Sequence, residues 1–354
     1  MEHRPGGVAK CCPPFAPMGT HRPPLEPPRR RGRIATALCA ALGMLLSVAL
    51  SAAELAYPSR PIHIIVPQTA GGAVDVVARM LGERISAGLG AKVVVENRSG
   101  ANGIIGTEAV KDAAPDGYTL LAASSSTHAM APHTTPRIPY DALRDFAPVV
   151  NVAYTTKVVM VSPALPVRTL KEFIDYARAR PGTLNYGSTG VGSSTHLDVE
   201  MFCLATGLRL VHVPYRGAPQ ANQALANDEI QLVIGSLTTA RGLLQSGRVR
   251  ALGIVSDRRT ELLPDVPTVR EQGFPEYRVE TWIGLVAPSG TPPAIVQILN
   301  RAVNESLRDP SMQRSMQEMG LESIGGSSRR FDEQIRSDYA MWGKVVRRLA
   351  LQPE

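Results

Sequence analysis

The chain has 354 residues, 44% of them apolar, and carries 38 Lys and Arg against 31 Asp and Glu for a formal net charge of +7; that length buries a substantial core and suits two domains. A basic balance would suit a nucleic-acid partner, but residues 1–53 hold seven basic side chains against two acidic ones, which leaves +2 for the rest and excludes that class. Cysteine is distributed in the same way, with Cys11, Cys12 and Cys39 in that segment and Cys203 alone beyond it, so no intrachain disulfide is expected.

Residues 1–53 have the three parts of a secretory signal: the basic cluster Arg29-Arg30-Arg31-Gly32-Arg33, an apolar run over 34–50, and the small residues Ser51-Ala52-Ala53. Cleavage is expected after Ala53, giving an exported, periplasmic protein. A retained membrane anchor is the alternative, because the run of 17 residues approaches the length of a spanning helix. Small residues at the cleavage position favour removal. Met18 is a second candidate start, and Cys39, which follows Leu38 rather than a small residue, argues against lipid attachment.

Beyond the leader, short β-branched runs alternate with helical patterns. Strands are expected over 62–66, 92–96 and 119–123, with helices from about 73 to 89 and over 104–112, and a turn at Gly100-Ala101-Asn102-Gly103. A β-rich stretch over 149–161 opens a second series: helix 169–180, strand 184–186, helix 194–206, strand 210–213, helix 218–227, strand 232–234, helix 237–245 and strand 251–255. Such alternation implies right-handed crossovers and parallel sheets covered on both faces. Thr291 is placed as a helix cap with Pro292 in first position, and Ile295, Ile298, Leu299, Ala302, Val303 and Leu307 line one face of the helix that follows. A last helix is expected over 330–349, with Phe331, Ile335, Tyr339, Trp342 and Val346 facing inward. The chain is expected to cross back near 277–282, so that both helices pack on the first domain. Cys203 falls on the apolar side of its helix, where an inert buried thiol is expected.

Three loops follow a predicted strand and open a helix, the place where open α/β sheets bind ligands. They are Gln68-Thr69-Ala70-Gly71-Gly72, Ser124-Ser125-Ser126-Thr127, and Gly187-Ser188-Thr189-Gly190-Val191-Gly192-Ser193-Ser194-Thr195. All are rich in glycine and hydroxyls, and N–H groups at a helix start attract carboxylate or phosphate. Ordinary turn and cap chemistry accounts for one such loop; three together point to an anion site. Gly72 is expected to let main-chain N–H groups reach a carboxylate, and a side chain there would strain the turn if its φ were positive.

Other chemistries fit less well. Gly190-Val191-Gly192 lacks the third glycine of a dinucleotide fingerprint, where Thr195 stands, and no phosphate-loop signature occurs. His196 and Glu200 share a helix face at metal-ligand spacing but have no second cluster. A secreted serine hydrolase using Ser193 or Ser194 with His196 is the enzymatic alternative; it lacks the nucleophile elbow and an acid to orient the histidine.

Six motifs in order go beyond these generic features. They are Pro67-Gln68-Thr69-Ala70-Gly71-Gly72-Ala73-Val74-Asp75, Val95-Glu96-Asn97-Arg98-Ser99-Gly100-Ala101-Asn102-Gly103, Ala114-Pro115-Asp116-Gly117-Tyr118-Thr119-Leu120, Tyr186-Gly187-Ser188-Thr189-Gly190-Val191-Gly192-Ser193 with His196-Leu197, Val213-Pro214-Tyr215-Arg216-Gly217, and Leu263-Pro264-Asp265-Val266-Pro267-Thr268. The chain after Tyr57 resembles the Bug-type receptors of tripartite tricarboxylate transporters. The resemblance implies a two-domain periplasmic-binding-protein fold of the type II, flytrap kind, each domain a mostly parallel α/β sheet flanked by helices. Residues 54–156 with 279–354 would form one domain and 157–278 the other. It further implies a monomer that captures a small organic carboxylate for a two-subunit inner-membrane permease, with no catalysis, cofactor, metal or nucleic acid. The implied ligand site takes in the three loops together with Asp75, His196, Tyr215, Arg216, Gly217 and Gly235. Two positions depart from the family pattern: Gln68 replaces an aromatic residue, and Gly235 an aspartate.

Overall fold

Across residues 57–277 and 279–349, which a computed structural model describes, the β-branched runs are strands and the amphipathic stretches between them are helices. The predicted leader, its cleavage point and the Met18 start lie outside these residues. The first series runs β1 (Ile62–Val66), α1 (Ala73–Leu89), β2 (Val93–Asn97), α2 (Ile104–Lys111) and β3 (Thr119–Ser124), followed by a π-helical turn (Ser126–Met130), the one-turn α3 (Ala131–Thr134) and β4 (Phe146–Thr155). One residue, Thr156, separates β4 from β5 (Lys157–Val161), the first strand of a second sheet.

That series continues through α4 (Leu170–Arg178), β6 (Asn185–Ser188), α5 (Ser194–Thr206), β7 (Val211–Pro214), α6 (Ala218–Ala226), β8 (Leu232–Ser236), α7 (Leu237–Gln245) and β9 (Arg250–Val255). The chain then returns through β10 (Trp282–Pro288) to α8 (Pro293–Arg308), α9 (Pro310–Glu318), the short β11 (Leu321–Ser323) and α10 (Ser328–Leu349). Among the described residues no helix is long and apolar enough to cross a membrane.

The strands form two sheets, ordered β11-β4-β10-β3-β1-β2 and β7-β6-β8-β5-β9. Parallel pairing holds wherever strands alternate with helices, as in β1 with β2 and β3, and β6 with β7 and β8. The mostly parallel sheets each include a reversed crossing strand: β10 runs antiparallel to β3 and β4, and β5 antiparallel to β8 and β9. The cause is topological. The strand that leaves the first sheet and the one that returns to it lie side by side, so they run in opposite directions.

Alternation of side chains along each strand feeds a separate core on each face. Ile62, Ile64 and Val66 of β1 pack with Val77, Leu81 and Ile85 of α1 and Leu299 and Val303 of α8, whereas Ile65 faces Trp282, Val286 and Phe331. In the second sheet Val159 and Val161 meet Phe173, Leu197 and Phe202, while Val158 and Met160 meet Leu225 and Leu237. Cys203 is partly buried against the former group, and burial pushes its thiol pKa up to about 12, leaving it unreactive at neutral pH.

Two expectations about the final helices change. Pro292 itself occupies the cap position of α8, extended at φ −53 and ψ 134, because the ring of Pro293 disfavours a helical conformation in the residue before it; the Thr291 hydroxyl donates instead to the carbonyl of Pro288. Helix α10 does not pack on the first domain alone. Its Phe331 and Ile335 belong to the first-sheet core around Trp282, but Trp342 and Val346 belong to the core of the second sheet.

Candidate functional site

Between the two sheets lies a cavity of about 530 Å³, within the size range of small-molecule sites. From the first anticipated loop, Gln68, Thr69 and Gly72 line it. Ala70 and Gly71 are exposed outside the lining, and Asp75 is buried behind it. Gly71, not Gly72, carries the left-handed backbone, with φ at 76, whereas Gly72 is extended with φ at −74. A Cβ at Gly72 would still approach the Thr69 carbonyl oxygen to 3.1 Å. Asp75 braces the loop. Its carboxylate accepts from the Gly71 N–H at 2.9 Å, from Asn97 and from Arg79. Burial alone would raise its pKa, but these donors outweigh that and hold it below the usual carboxylate value.

From the second loop Ser124 and Ser126 line the cavity. Ser125 and Thr127 are buried behind it, and the Thr127 hydroxyl ties the turn by donating to the Ser124 carbonyl and accepting from its N–H. The sequence placed a helix start here; the chain instead enters the π-helical turn, whose His128 is fully buried beside Phe146, Tyr140 and Trp282.

From the third loop Gly187, Ser188, Thr189, Gly190, Ser194 and Thr195 line the cavity, while Gly192, Ser193 and His196 support it. The Ser193 hydroxyl caps α5 by accepting from the His196 N–H at 3.3 Å. The His196 ring nitrogen Nδ1 accepts from the Gly192 N–H at 3.0 Å, and burial lowers its pKa. That ring stacks on His212 at 4.1 Å, and His212 contacts the Ser188 hydroxyl at 2.6 Å. His196 is thus committed to shaping the loop, and the nucleophile–base pair with Ser193 or Ser194 is not assembled. Glu200 accepts from the Tyr186 hydroxyl. Among the described residues no group of three His, Cys, Asp or Glu could hold a metal ion.

Tyr215, Arg216, Gly217 and Gly235 also line the cavity. So do residues the sequence did not single out as ligand contacts: the turn Ser99–Gly103, Thr155, Lys157, Asn222, Ser236, Thr239 and Thr281. The Ser99–Gly103 turn had the same signature as the other three loops, glycine and small polar residues between a strand and a helix. Its backbone is left-handed at three successive residues, Ala101, Asn102 and Gly103. Lys157 was visible as a lone charge at the head of an apolar run.

The chemistry of this lining is one-sided. It contains two cations, Lys157 and Arg216, and no Asp or Glu. Helices α1, α2, α6 and α7 start at the cavity from Gly72, Gly103, Gly217 and Ser236, none of which provides a side-chain cap. Uncapped N–H groups and the positive ends of helix dipoles favour an anion. Four lining residues also carry buried polar atoms without a protein partner: Asn102 Nδ2, Ser124 Oγ, Ser236 Oγ and Thr281 Oγ1. Such atoms are rare in folded proteins unless something else satisfies them.

Comparison with known proteins agrees with this architecture. A family model described as "Tripartite tricarboxylate transporter family receptor" matches residues 77–351. Protein BugT of Bordetella pertussis is 36% identical over 316 residues, which cover 88% of this chain and 97% of BugT. A protein of R. palustris solved with adipate is 34% identical, with a TM-score of 0.82 over 84% of this chain and all (100%) of that one. MatC from Rhodopseudomonas palustris, solved with bound malate, is 30% identical, with a TM-score of 0.78 over 82% of this chain and 100% of its own. The chain belongs to the family of Bug-type receptors of tripartite tricarboxylate transporters.

Proposed function

We propose that this chain is a periplasmic receptor that captures one small carboxylate between its two domains, 54–156 with 279–354 and 157–278, and delivers it to the membrane permease of a tripartite transporter. The observation that carries this reading is the lining itself: two cations, four uncapped helix starts and no carboxylate. Adipate and malate in two solved relatives support the ligand class. The lining loops come from both sheets, so a bound solute gains its full set of contacts only when the domains meet around it.

Gly235 narrows the ligand. It sits on β8 opposite Val158, where a Cβ would meet Val233 Cγ1 at 3.3 Å and Met160 Cε at 3.6 Å, so a side chain needs a small shift of Val233, and the glycine offers no carboxylate to an ammonium group. Acids without an amino group are the favoured cargo. Calorimetry with succinate against aspartate, and glutarate against glutamate, should give tighter binding of the plain acids. Gly235→Asp should weaken binding of the plain acids by up to about thirtyfold to a hundredfold. Tighter binding of the amino acids by the wild-type protein would refute the preference, and failure to bind any carboxylate would refute the receptor reading. Hydrolase activity lost in Ser193→Ala or Ser194→Ala would establish the enzymatic alternative instead.

A further inference from the structure

We propose that Lys157 is the specificity-determining residue at the floor of the cleft, a fixed cation that receives a second anionic group of the ligand and so selects diacids over monoacids of equal length. The inference rests on the carboxylate-receptor reading above and assigns the far end of the same site.

Lys157 opens β5, one residue after β4 ends, where the chain passes from the first sheet to the second. It lines the cavity although its side chain is only 3% exposed. An ammonium group has three protons to donate. Among the described residues its acceptor is Asp198 Oδ2 of α5, with which it forms a buried ion pair. Two donors remain for a ligand.

The surroundings of the pair point the same way. Ser236 faces Lys157 directly in the β5–β8 pairing, and its Oγ has no protein partner. Thr281 Oγ1 and Ser124 Oγ, both in the lining, are likewise unpartnered. Ser236 thus sets one free hydroxyl opposite Lys157, and Ser124 and Thr281 add two more to the same lining, donors that a carboxylate can use.

Stability does not account for the pair. Two buried charges cost more desolvation than a well-packed apolar pair of similar volume, so an ion pair in a core is seldom kept for its own energy. Asp198 is not fully satisfied either, since its Oδ1 has no partner; burial raises its pKa against the opposing pull of Lys157. Its role is to hold the ammonium in place and keep the floor near neutral until an anion arrives. Asp198 lies on the first turns of α5, so the helix that begins at the third loop also fixes the floor cation.

The test compares acids that differ only at the far end: adipate with hexanoate, and malate with 2-hydroxybutyrate. Wild-type protein should bind each diacid about tenfold to a hundredfold more tightly than its monoacid. Lys157→Met combined with Asp198→Asn removes both charges of the pair, and should bring that ratio close to one. Lys157→Arg keeps a cation and should keep the preference. Equal wild-type affinities for diacid and monoacid would overturn the proposal, a test that needs no variant to fold. An undiminished ratio in a folded double variant would overturn it too. If the wild type binds neither diacids nor monoacids, the receptor reading fails along with it; if it binds both classes indifferently, only the role of Lys157 fails.

Discussion

His128 is an imidazole sealed among aromatic rings, with Nδ1 against the Thr127 hydroxyl and Nε2 without a partner. Burial lowers its pKa to about 3. Because this lies below the unfolded value near 6.5, its contribution to stability is complete above pH 6.5 and is lost as pH falls toward 3. Between pH 6.5 and pH 5 the loss amounts to about 2 kcal/mol. Urea denaturation at pH 7 and pH 5 should register that fall, and His128→Phe, which keeps a ring in an apolar niche, should lessen it by a similar amount. An identical pH slope in wild type and variant would count against a buried neutral histidine. Other single residues were legible to different degrees. The glycine- and hydroxyl-rich loops declare themselves because backbone approach and donor supply depend on residue type. Thr281 does not, and Lys157 shows only as a lone charge before an apolar run, since the cleft joins positions far apart in sequence that only the crossing strands bring together.

Among the elements, β10 depends on Gly284, whose hydrogen faces the ring of Phe331 in α10 so closely that a Cβ would overlap it. Gly284→Ala must therefore push α10 away from the sheet, at a cost of about 1–3 kcal/mol; a lower thermal midpoint is expected, and an unchanged one would mean that the helix shifts without penalty. Most elements could be read from periodicity, including the apolar face of α8 and the inward residues of α10. Helix α9 was missed because it buries only Met312 and Met316 and otherwise reads as polar. Its start, however, was written in Asp309, which accepts from the N–H groups of Ser311 and Met312. The direction of β5 and β10 was illegible for another reason: strand composition carries no record of which strand a chain returns beside.

For the molecule as a whole, the two domains meet across the cleft mouth at glycine. A Cβ at Gly217 would run into Thr69 Oγ1, one at Gly71 would lie 3.8 Å from Pro219, and the Thr134 hydroxyl donates to the Gly192 carbonyl at 3.3 Å. Gly217 is extended, with φ at −179, so its backbone accepts other residues and the chief obstacle to a side chain is Thr69 of the opposing domain. On the receptor reading proposed above, Gly217→Val should wedge the mouth apart, weaken binding of a carboxylate such as adipate about tenfold or more, and leave the thermal midpoint of the ligand-free protein nearly unchanged. Small-angle scattering with saturating adipate should then record a larger radius than for wild type; equal radii and equal affinity would rule out a tight seal at this point.

Helix α10 makes that closing motion something other than free rotation about two strands. Its 22 residues are anchored at one end in the first core through Phe331 and Ile335, and at the other in the second through Trp342 and Val346. Trp282 at the head of the returning strand donates to Asp338, and the Tyr339 carbonyl lies 2.8 Å from His133 Nε2, so the middle of the rod is clamped as well. To part, the domains must bend that rod or shear one anchored end across its neighbours. Either movement disturbs contacts that α10 makes with both cores. A segment outside the cavity lining thus ties the two domains together.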